Sequence, residues 1–336
     1  MHEALPTLLY PFERGILDLP GAGARLLVLG ASAGLRLPET AAEVDVVVDF
    51  RPDFLALEKA GFAVSAEVKR NGYDAALLLL GRNRRENEAR LAEALRSVHP
   101  GGIILAAGMK KDGAQSLRKQ VAERLPLENA ISKFHGLAFW LRRPERLEAD
   151  VLPVLSGPAG ITPEGYETSV GGFSEGLADP GSRFLIDNLP PDISGKVADF
   201  AAGWGFLSLR LVERFSIMAI DLYEAHLPSL ESARRNLAEQ APGVNCRYFW
   251  HDLLNEPVPH RYDVILMNPP FHRGRAAEPE IGRGMIGAAA KALNPGGRLF
   301  LVANRGLPYE RIMENAFRQQ GEIARDESYK VLWGRK

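Results

Sequence analysis

The sequence predicts an α/β protein made of two tandem doubly wound domains. Three observations predict it. The chain has 336 residues, more than the roughly 100–200 of one ordinary domain. Short apolar runs alternate with helix-like stretches in both halves, the pattern of βαβ units around a mainly parallel sheet. A set of local motifs also recurs at nearly constant spacing between the halves, as a duplication leaves it.

In the first half, strands are expected at 26–29, 44–49, 63–68 and 75–80, then a helix over 86–98. After the turn Pro100-Gly101-Gly102 a fifth strand is expected at 103–106. The second half repeats this order, with strands at 197–202, 217–221, 244–249, 264–267 and 299–302. Its helices are expected over 207–215, 227–239 and 281–293, the last stopped by Asn294-Pro295-Gly296-Gly297. Tyr73-Asp74, Pro100-Gly101-Gly102 and Trp140 return as Tyr262-Asp263, Pro295-Gly296-Gly297 and Trp333, at separations of 189, 195 and 193 residues. The glycine turns at Gly34 and Gly205 are only 171 apart, so the first copy is 18 residues shorter between its turn and its fourth strand. That deletion trims its first two helices, where a nucleotide cofactor is normally held. The plain alternative is two unrelated α/β domains sharing turns by chance. A Pro- and Gly-rich stretch between the copies reads as a linker and edge flap. The expected layout is a first domain over 1–145, a linker and flap over 146–180, and a second domain over 181–336.

Composition narrows the class. With 46% hydrophobic and 25% charged residues, the chain is neither disordered, collagen-like nor coiled coil. Its 41 Lys+Arg against 42 Asp+Glu leave a formal charge of −1, so any basic surface must be local. The single cysteine, Cys246, excludes an intramolecular disulfide framework and a cysteine-rich metal site, and fits a reducing compartment, so a cytoplasmic location is expected. The first residues carry acids and prolines rather than a signal peptide's apolar stretch. The longest apolar run, 75–80, is far short of the ~20 residues of a membrane span. No membrane partner is expected.

Two motifs carry chemistry. In the second copy a strand runs into Asp199-Phe200-Ala201-Ala202-Gly203-Trp204-Gly205 and then a helix. Glycines at such a turn let the backbone approach a ligand over a helix N-terminus, and Asp221, at the end of the next expected strand, can accept ribose hydroxyls. A nucleotide-like ligand is implied. A nicotinamide cofactor would bring a pyrophosphate, which Asp199 on the turn repels; the ammonium of S-adenosylmethionine suits that acid. A bare structural turn with no ligand stays open on the turn alone. After strand four stands Asn268-Pro269-Pro270-Phe271-His272, at the carboxyl end of the sheet where ligands bind. Two prolines remove donors and leave acceptors. The Asn268 side-chain oxygen and the Pro269 carbonyl can then take both N–H bonds of an exocyclic amine, with Phe271 stacked on the base at about 1–3 kcal/mol. His272 either contacts substrate or fills the loop. The sulfonium methyl is already electrophilic, so positioning carries the catalysis and no nucleophile is needed.

Together with Val302-Ala303-Asn304-Arg305-Gly306-Leu307-Pro308-Tyr309, these motifs resemble class I S-adenosylmethionine-dependent methyltransferases. Within them they resemble the bacterial ribosomal-RNA guanine-N2 enzymes, which pair a degenerate Rossmann-like methyltransferase domain with an active one. The resemblance spans nearly the whole chain. It implies S-adenosyl-L-methionine as cofactor, ribosomal RNA (most closely 16S) or a small-subunit assembly intermediate as partner, and a first domain that is RNA-binding or structural. It assigns Asn268 and Pro269 to the guanine amine, Phe271 to stacking, Asp221 to the ribose, Asp252 to the adenine side, and Gly181-Ser182 to the cofactor's flank. Related pockets methylate adenine N6 or a protein glutamine amide, and a non-catalytic RNA-binding assembly factor is the reading from another class. The sequence leaves the oligomeric state open.

There are departures. Ala201 stands where the family's turn has its first glycine, beside the bulky Trp204; a methyl is tolerated there at negative φ and alters the cofactor fit. In the first copy Val28 aligns with Asp199, and Gly81-Arg82-Asn83-Arg84 takes the place of the Asn-Pro-Pro-Phe motif, so that copy is expected to bind no cofactor. Arg82, Arg84 and Arg85 with Lys110 and Lys111 fall at its strands' carboxyl ends. They form either a basic face for RNA phosphates or a solvated loop balanced by Glu86 and Glu88.

Overall fold

The apolar run at 75–80 becomes a central strand whose alternate residues feed two cores. The computed structural model describes residues 2–157, 160–270, 272–273, 276–277 and 279–336, and the chain divides into two units, Met1–Pro158 and Ala159–Lys336. The first holds α1 (Leu5–Glu13), β1 (Arg25–Leu29), β2 (Glu43–Val47), α2 (Arg51–Lys59), β3 (Ala63–Ser65), β4 (Tyr73–Leu80), α3 (Arg84–Ser97), β5 (Val98–Met109), α4 (Ala114–Ala122), β6 (Asn129–Lys133), β7 (Gly136–Arg142) and α5 (Val151–Ser156). Ala76, Leu78 and Leu80 of β4 join one buried cluster, and Ala75, Leu77 and Leu79 the other. A strand covered on both faces needs apolar residues at every position, which is why this run shows no polar alternation.

The second unit holds β8 (Gly160–Ile161), β9 (Glu167–Thr168), α6 (Pro180–Asp187), β10 (Val197–Phe200), α7 (Phe206–Arg214), β11 (Ala219–Glu224), α8 (Leu227–Gln240), β12 (Asn245–Trp250), β13 (Tyr262–Met267), β14 (His272–Arg273), β15 (Ala276–Ala277), α9 (Pro279–Ala292), β16 (Leu293–Asn304), α10 (Glu310–Ala316), β17 (Gln319–Arg325) and β18 (Tyr329–Arg335). Its seven-stranded sheet runs β12-β11-β10-β13-β16-β18-β17, and the first unit's runs β3-β2-β1-β4-β5-β7-β6. These orders are the same, and in each sheet the sixth strand, β18 or β7, runs antiparallel to both of its neighbours. The fold is two tandem doubly wound domains of one topology.

Shared details go below topology. The ladder slips at Tyr73 in one sheet and Tyr262 in the other. Asp74 accepts the N–H of Arg25 at 2.8 Å, and Asp263 that of Lys196 at 2.9 Å, each tying strand four to the start of strand one. Tyr73 donates to Asp45 and Tyr262 to Asp221, and in each case an arginine, Arg70 or Arg247, pairs with the same carboxylate. Between β1 and β2 the first unit has no helix among its described residues, where the second has α7, and α2 is shorter than α8. The expected trimming is there.

Two sequence boundaries move. The helix α5 packs on α3, so the first unit runs on past 145 to 158 and takes in the start of the segment read as linker. The second strand of the second unit was expected at 217–221 and spans Ala219–Glu224. That shift of a few residues decides which acid ends the strand.

Candidate active site

The carboxyl end of the second sheet gathers the chemistry-bearing residues. Three elements meet there: the turn after β10, the end of β13, and the start of α6. Asp179 caps α6, accepting the Ser182 N–H at 2.7 Å, and Pro180 fills the first helical position where no donor is needed. The same Asp179 oxygen accepts one N–H of the Asn268 carboxamide at 2.8 Å, and Ser182 Oγ lies 2.8 Å from the same nitrogen. An ionised carboxylate offers no proton, so the amide nitrogen must face Asp179, and the amide orientation follows from chemistry. Asn268 Oδ1 is therefore presented as an acceptor. Pro269 follows it, buried at the end of β13. Phe271 lies outside the described residues, as does the side chain of His272.

The turn after β10 is built on two left-handed glycines, Gly203 at φ 56° and Gly205 at φ 91°. A side chain at Gly205 would press on Ala233 of α8, whereas one at Gly203 would enter open space. That open space adjoins a cavity lined by Asp179, Ser182, Ala201, Gly203, Trp204 and Asn268, among others. Among the described residues lining it, none is basic. The donor set is acidic and acceptor-rich, which fits a cationic, hydroxyl-bearing group and not a pyrophosphate. S-adenosylmethionine has that chemistry. Trp204 lines the cavity, and its ring is buried against Tyr166 (5.7 Å between centroids, stacked) and edge-on to Phe206.

Four expectations need correction. Asp221 does not face the cavity: it lies inside β11, buried, with both oxygens held by Arg247 and one by the Tyr262 hydroxyl. The first unit repeats this arrangement at Asp45, where Arg70 above all, with Tyr73, holds the carboxyl below its usual range. A device present in both copies is structural. The acid at the strand's end is Glu224, which accepts the N–H of Gly203 and of His226, each at 2.8 Å. The signal was available in the sequence: Glu224 stands two residues before the helix-opening His226-Leu227-Pro228, which places it, not Asp221, at the turn.

The second correction concerns Asp199. It is wholly buried and accepts the N–H and hydroxyl of Ser208 at the start of α7. It anchors the turn rather than meeting a ligand directly; Asp179 is the acid that reaches the cavity. Third, Ala201 takes φ 59°, not a negative value. Ala201→Gly relieves a left-handed alanine, less the entropy glycine adds to the unfolded chain, and is expected to stabilise by about 0.5–1 kcal/mol in thermal unfolding; a lower melting temperature would contradict this. Fourth, the pairing of β4 and β13 with their neighbours makes Leu79-Leu80-Gly81-Arg82, two residues earlier than expected, the first copy's counterpart in sequence of Asn268-Pro269-Pro270-Phe271.

Asp252 accepts the Leu254 N–H and the Asn255 amide, so it builds the turn after β12. The basic cluster of the first unit is largely neutralised: Arg82 pairs with Asp112 at 3.3 Å, Arg84 with Glu88 at 2.7 Å and Lys111 with Glu3 at 2.5 Å, and Arg85 is not free either. As a phosphate-binding face it is weaker than the sequence promised.

Residues 166–333 match the methyltransferase small domain. The ribosomal RNA small subunit methyltransferase C of Escherichia coli is 31% identical over 252 residues, covering 74% of this chain and 72% of that protein. The chain belongs to this methyltransferase family. Its namesake from Salmonella newport is 30% identical over 250 residues, with 74% and 72% covered. Among solved structures, the T. thermophilus 16S rRNA N2 G1207 methyltransferase, in complex with AdoMet and guanosine, superimposes at a TM-score of 0.78 with 24% identity, covering 99% of this chain and 91% of that one. That likeness extends the shared fold over both units. By strand pairing Asp199 and Glu224 correspond to Val28 and Val48 of the first unit, whose turn is instead held by Asp53, which accepts the Ala33 N–H at 2.9 Å. No helix among the described residues is long and apolar enough to cross a membrane.

Proposed function

We propose that the protein transfers a methyl group from S-adenosylmethionine to the exocyclic N2 amine of a guanine in 16S ribosomal RNA, free or in a small-subunit assembly intermediate. The observation that carries this reading is Asn268, whose amide nitrogen is held by Asp179 and Ser182 so that Oδ1 faces outward as an acceptor. With the Pro269 carbonyl beside it, Asn268 accepts the N–H bonds of the amine and turns its lone pair toward the methyl donor. When bound, S-adenosylmethionine supplies an electrophilic methyl group. The chain does the rest by position: Glu224 takes the ribose hydroxyls, Asp179 faces the ammonium, and the Gly203 turn leaves room for the backbone to approach. The names of the relatives support rRNA as the substrate class. Guanine N2 sits inside a paired helix, so the base must be splayed out or reached before the RNA folds.

Mass spectrometry of nuclease-digested 16S rRNA from cells with and without the gene tests the reading. One N2-methylguanine fragment is expected to disappear with the gene and return with a complementing copy. Identical digests would overturn it, and a lost N6-methyladenine would move the substrate to adenine.

A further inference from the structure

The hairpin joining β6 to β7 breaks the chemistry of its own turn. Lys133 pairs with Gly136, so Phe134 and His135 alone form the loop. Both are left-handed, at φ 50° and φ 60°. Two-residue turns of this hand are ordinarily Asn-Gly, because bulky residues are strained there. Strain kept at an exposed position points to a use for the side chain. The Phe134 side chain is 53% exposed. Packing fixes the tip: Thr7 of α1 donates to the Lys133 carbonyl at 3.0 Å and lies against Gly136, and Lys110 donates its N–H to the His135 carbonyl at 3.1 Å.

Around this rigid aromatic tip the charges are basic. A concavity of about 830 Å³ is lined by Phe134, His135, Lys110, Lys111 and Lys133, and among the described residues lining it Glu3 is the one acid, already paired with Lys111. Tyr10 stands edge-on to Phe134 at 6.0 Å, with Lys133 and Arg14 each 5.4 Å from its ring centroid. The tip lies at the end of β5, so it sits on the carboxyl-end face of the first sheet. The corresponding loop of the second unit is Asp326-Glu327-Ser328, acidic and without an aromatic. The basic aromatic tip thus belongs to the first unit's hairpin and not to the second's.

We propose that this hairpin tip and its concavity are a docking surface for a single-stranded segment of RNA, with a base stacked on Phe134 and phosphates held by Lys110, Lys133 and Arg14. An exposed ring among lysines is the arrangement that binds single strands without sequence preference. The proposal rests on the reading of RNA as substrate. It gives the first unit a function for which the neutralised cluster around Arg82 and Arg84 is poorly suited.

The test uses the full chain, a fluorescein-labelled single-stranded RNA of mixed sequence, and methyl transfer to protein-free 16S rRNA. Phe134→Gly is expected to weaken RNA binding about tenfold by anisotropy, yet raise the melting temperature, because glycine relieves the turn. Opposite changes in binding and stability exclude a folding defect. Replacing Lys110 and Lys133 together with Ala is expected to flatten the dependence of log affinity on log salt by about 1.4. Affinity and salt slope both unchanged would overturn the proposal, as would polyglutamate competing as well as unlabelled RNA, which would make the surface one for an acidic protein. If these variants still methylate 16S rRNA and bind RNA normally, this proposal falls while the proposed function stands. If the unaltered protein neither binds RNA nor methylates it, both fall.

Discussion

Asn268→Ala is expected to lower methyl transfer by about 10³-fold while leaving S-adenosylmethionine affinity within a few-fold. The asymmetry follows from geometry. The alanine removes the acceptor that aims the amine, an interaction that strengthens as the nitrogen begins to lose its proton to solvent and bond to carbon. The cofactor's expected contacts lie on Glu224, the Gly203 turn and Asp179, none of which the alanine removes. Calorimetry with the cofactor and a radiolabelled transfer assay on 16S rRNA read the two quantities separately. An equal loss of both would show that Asn268 holds the cofactor rather than the amine. The clamp behind it offers a second check. Asp179→Ala removes the helix cap, at a cost of about 0.5–2 kcal/mol, and frees the Asn268 amide to turn its nitrogen toward the substrate. With the cofactor at saturation, so that Asp179's contact with its ammonium no longer limits the rate, Asp179 acts on transfer through Asn268, and the double variant should be no slower than Asn268→Ala alone. Additive losses would mean Asp179 contributes to transfer on its own.

The residues of this site were unevenly legible in the sequence. Asn268 and Pro269 stood out because a polar residue and prolines after an apolar strand have few structural uses, and the structure puts them at the sheet's carboxyl end. Asp179 did not stand out: an Asp-Pro pair before a helix reads as a cap, and nothing local says that the cap's second task lies 89 residues downstream. Asp221 misled because strand ends are set by ladder pairing, which the apolar pattern locates only to within a few residues; β11 carries on through Leu222 and Tyr223 to Glu224. The duplicated topology was readable from Tyr-Asp and Pro-Gly-Gly, since both anchor strand starts and turns in each copy. The Phe134-His135 turn was invisible, because its sequence contains none of the residues that announce a tight hairpin.

Asp199 makes the last prediction, on stability against pH. It is wholly buried, with Oδ1 lacking any partner. Burial pushes its carboxyl up from 3.8 to about 7, against the Ser208 hydrogen bonds, with the Glu224 charge adding to the rise. A carboxyl raised by folding contributes its full stability below its unfolded value and loses it as pH climbs through the folded one. The protein is therefore expected to lose stability between about pH 4 and pH 7, by at most about 4 kcal/mol, since each shifted unit is worth about 1.36 kcal/mol. Asp199→Asn cannot ionise, so its melting temperature should lack this share of the decline, although the amide itself meets no better partner than the carboxyl did. Bound S-adenosylmethionine brings a positive charge to the cavity beside the turn and favours the ionised form. Its affinity should rise through about pH 7 in the unaltered protein, with a proton released on binding, and stay flat in the variant. Thermal melts and calorimetry in buffers of different ionisation heat measure both effects. Parallel pH curves for the two proteins would mean that Asp199 is ionised throughout, and that the turn is held by a buried charge rather than by a neutral carboxyl waiting for one.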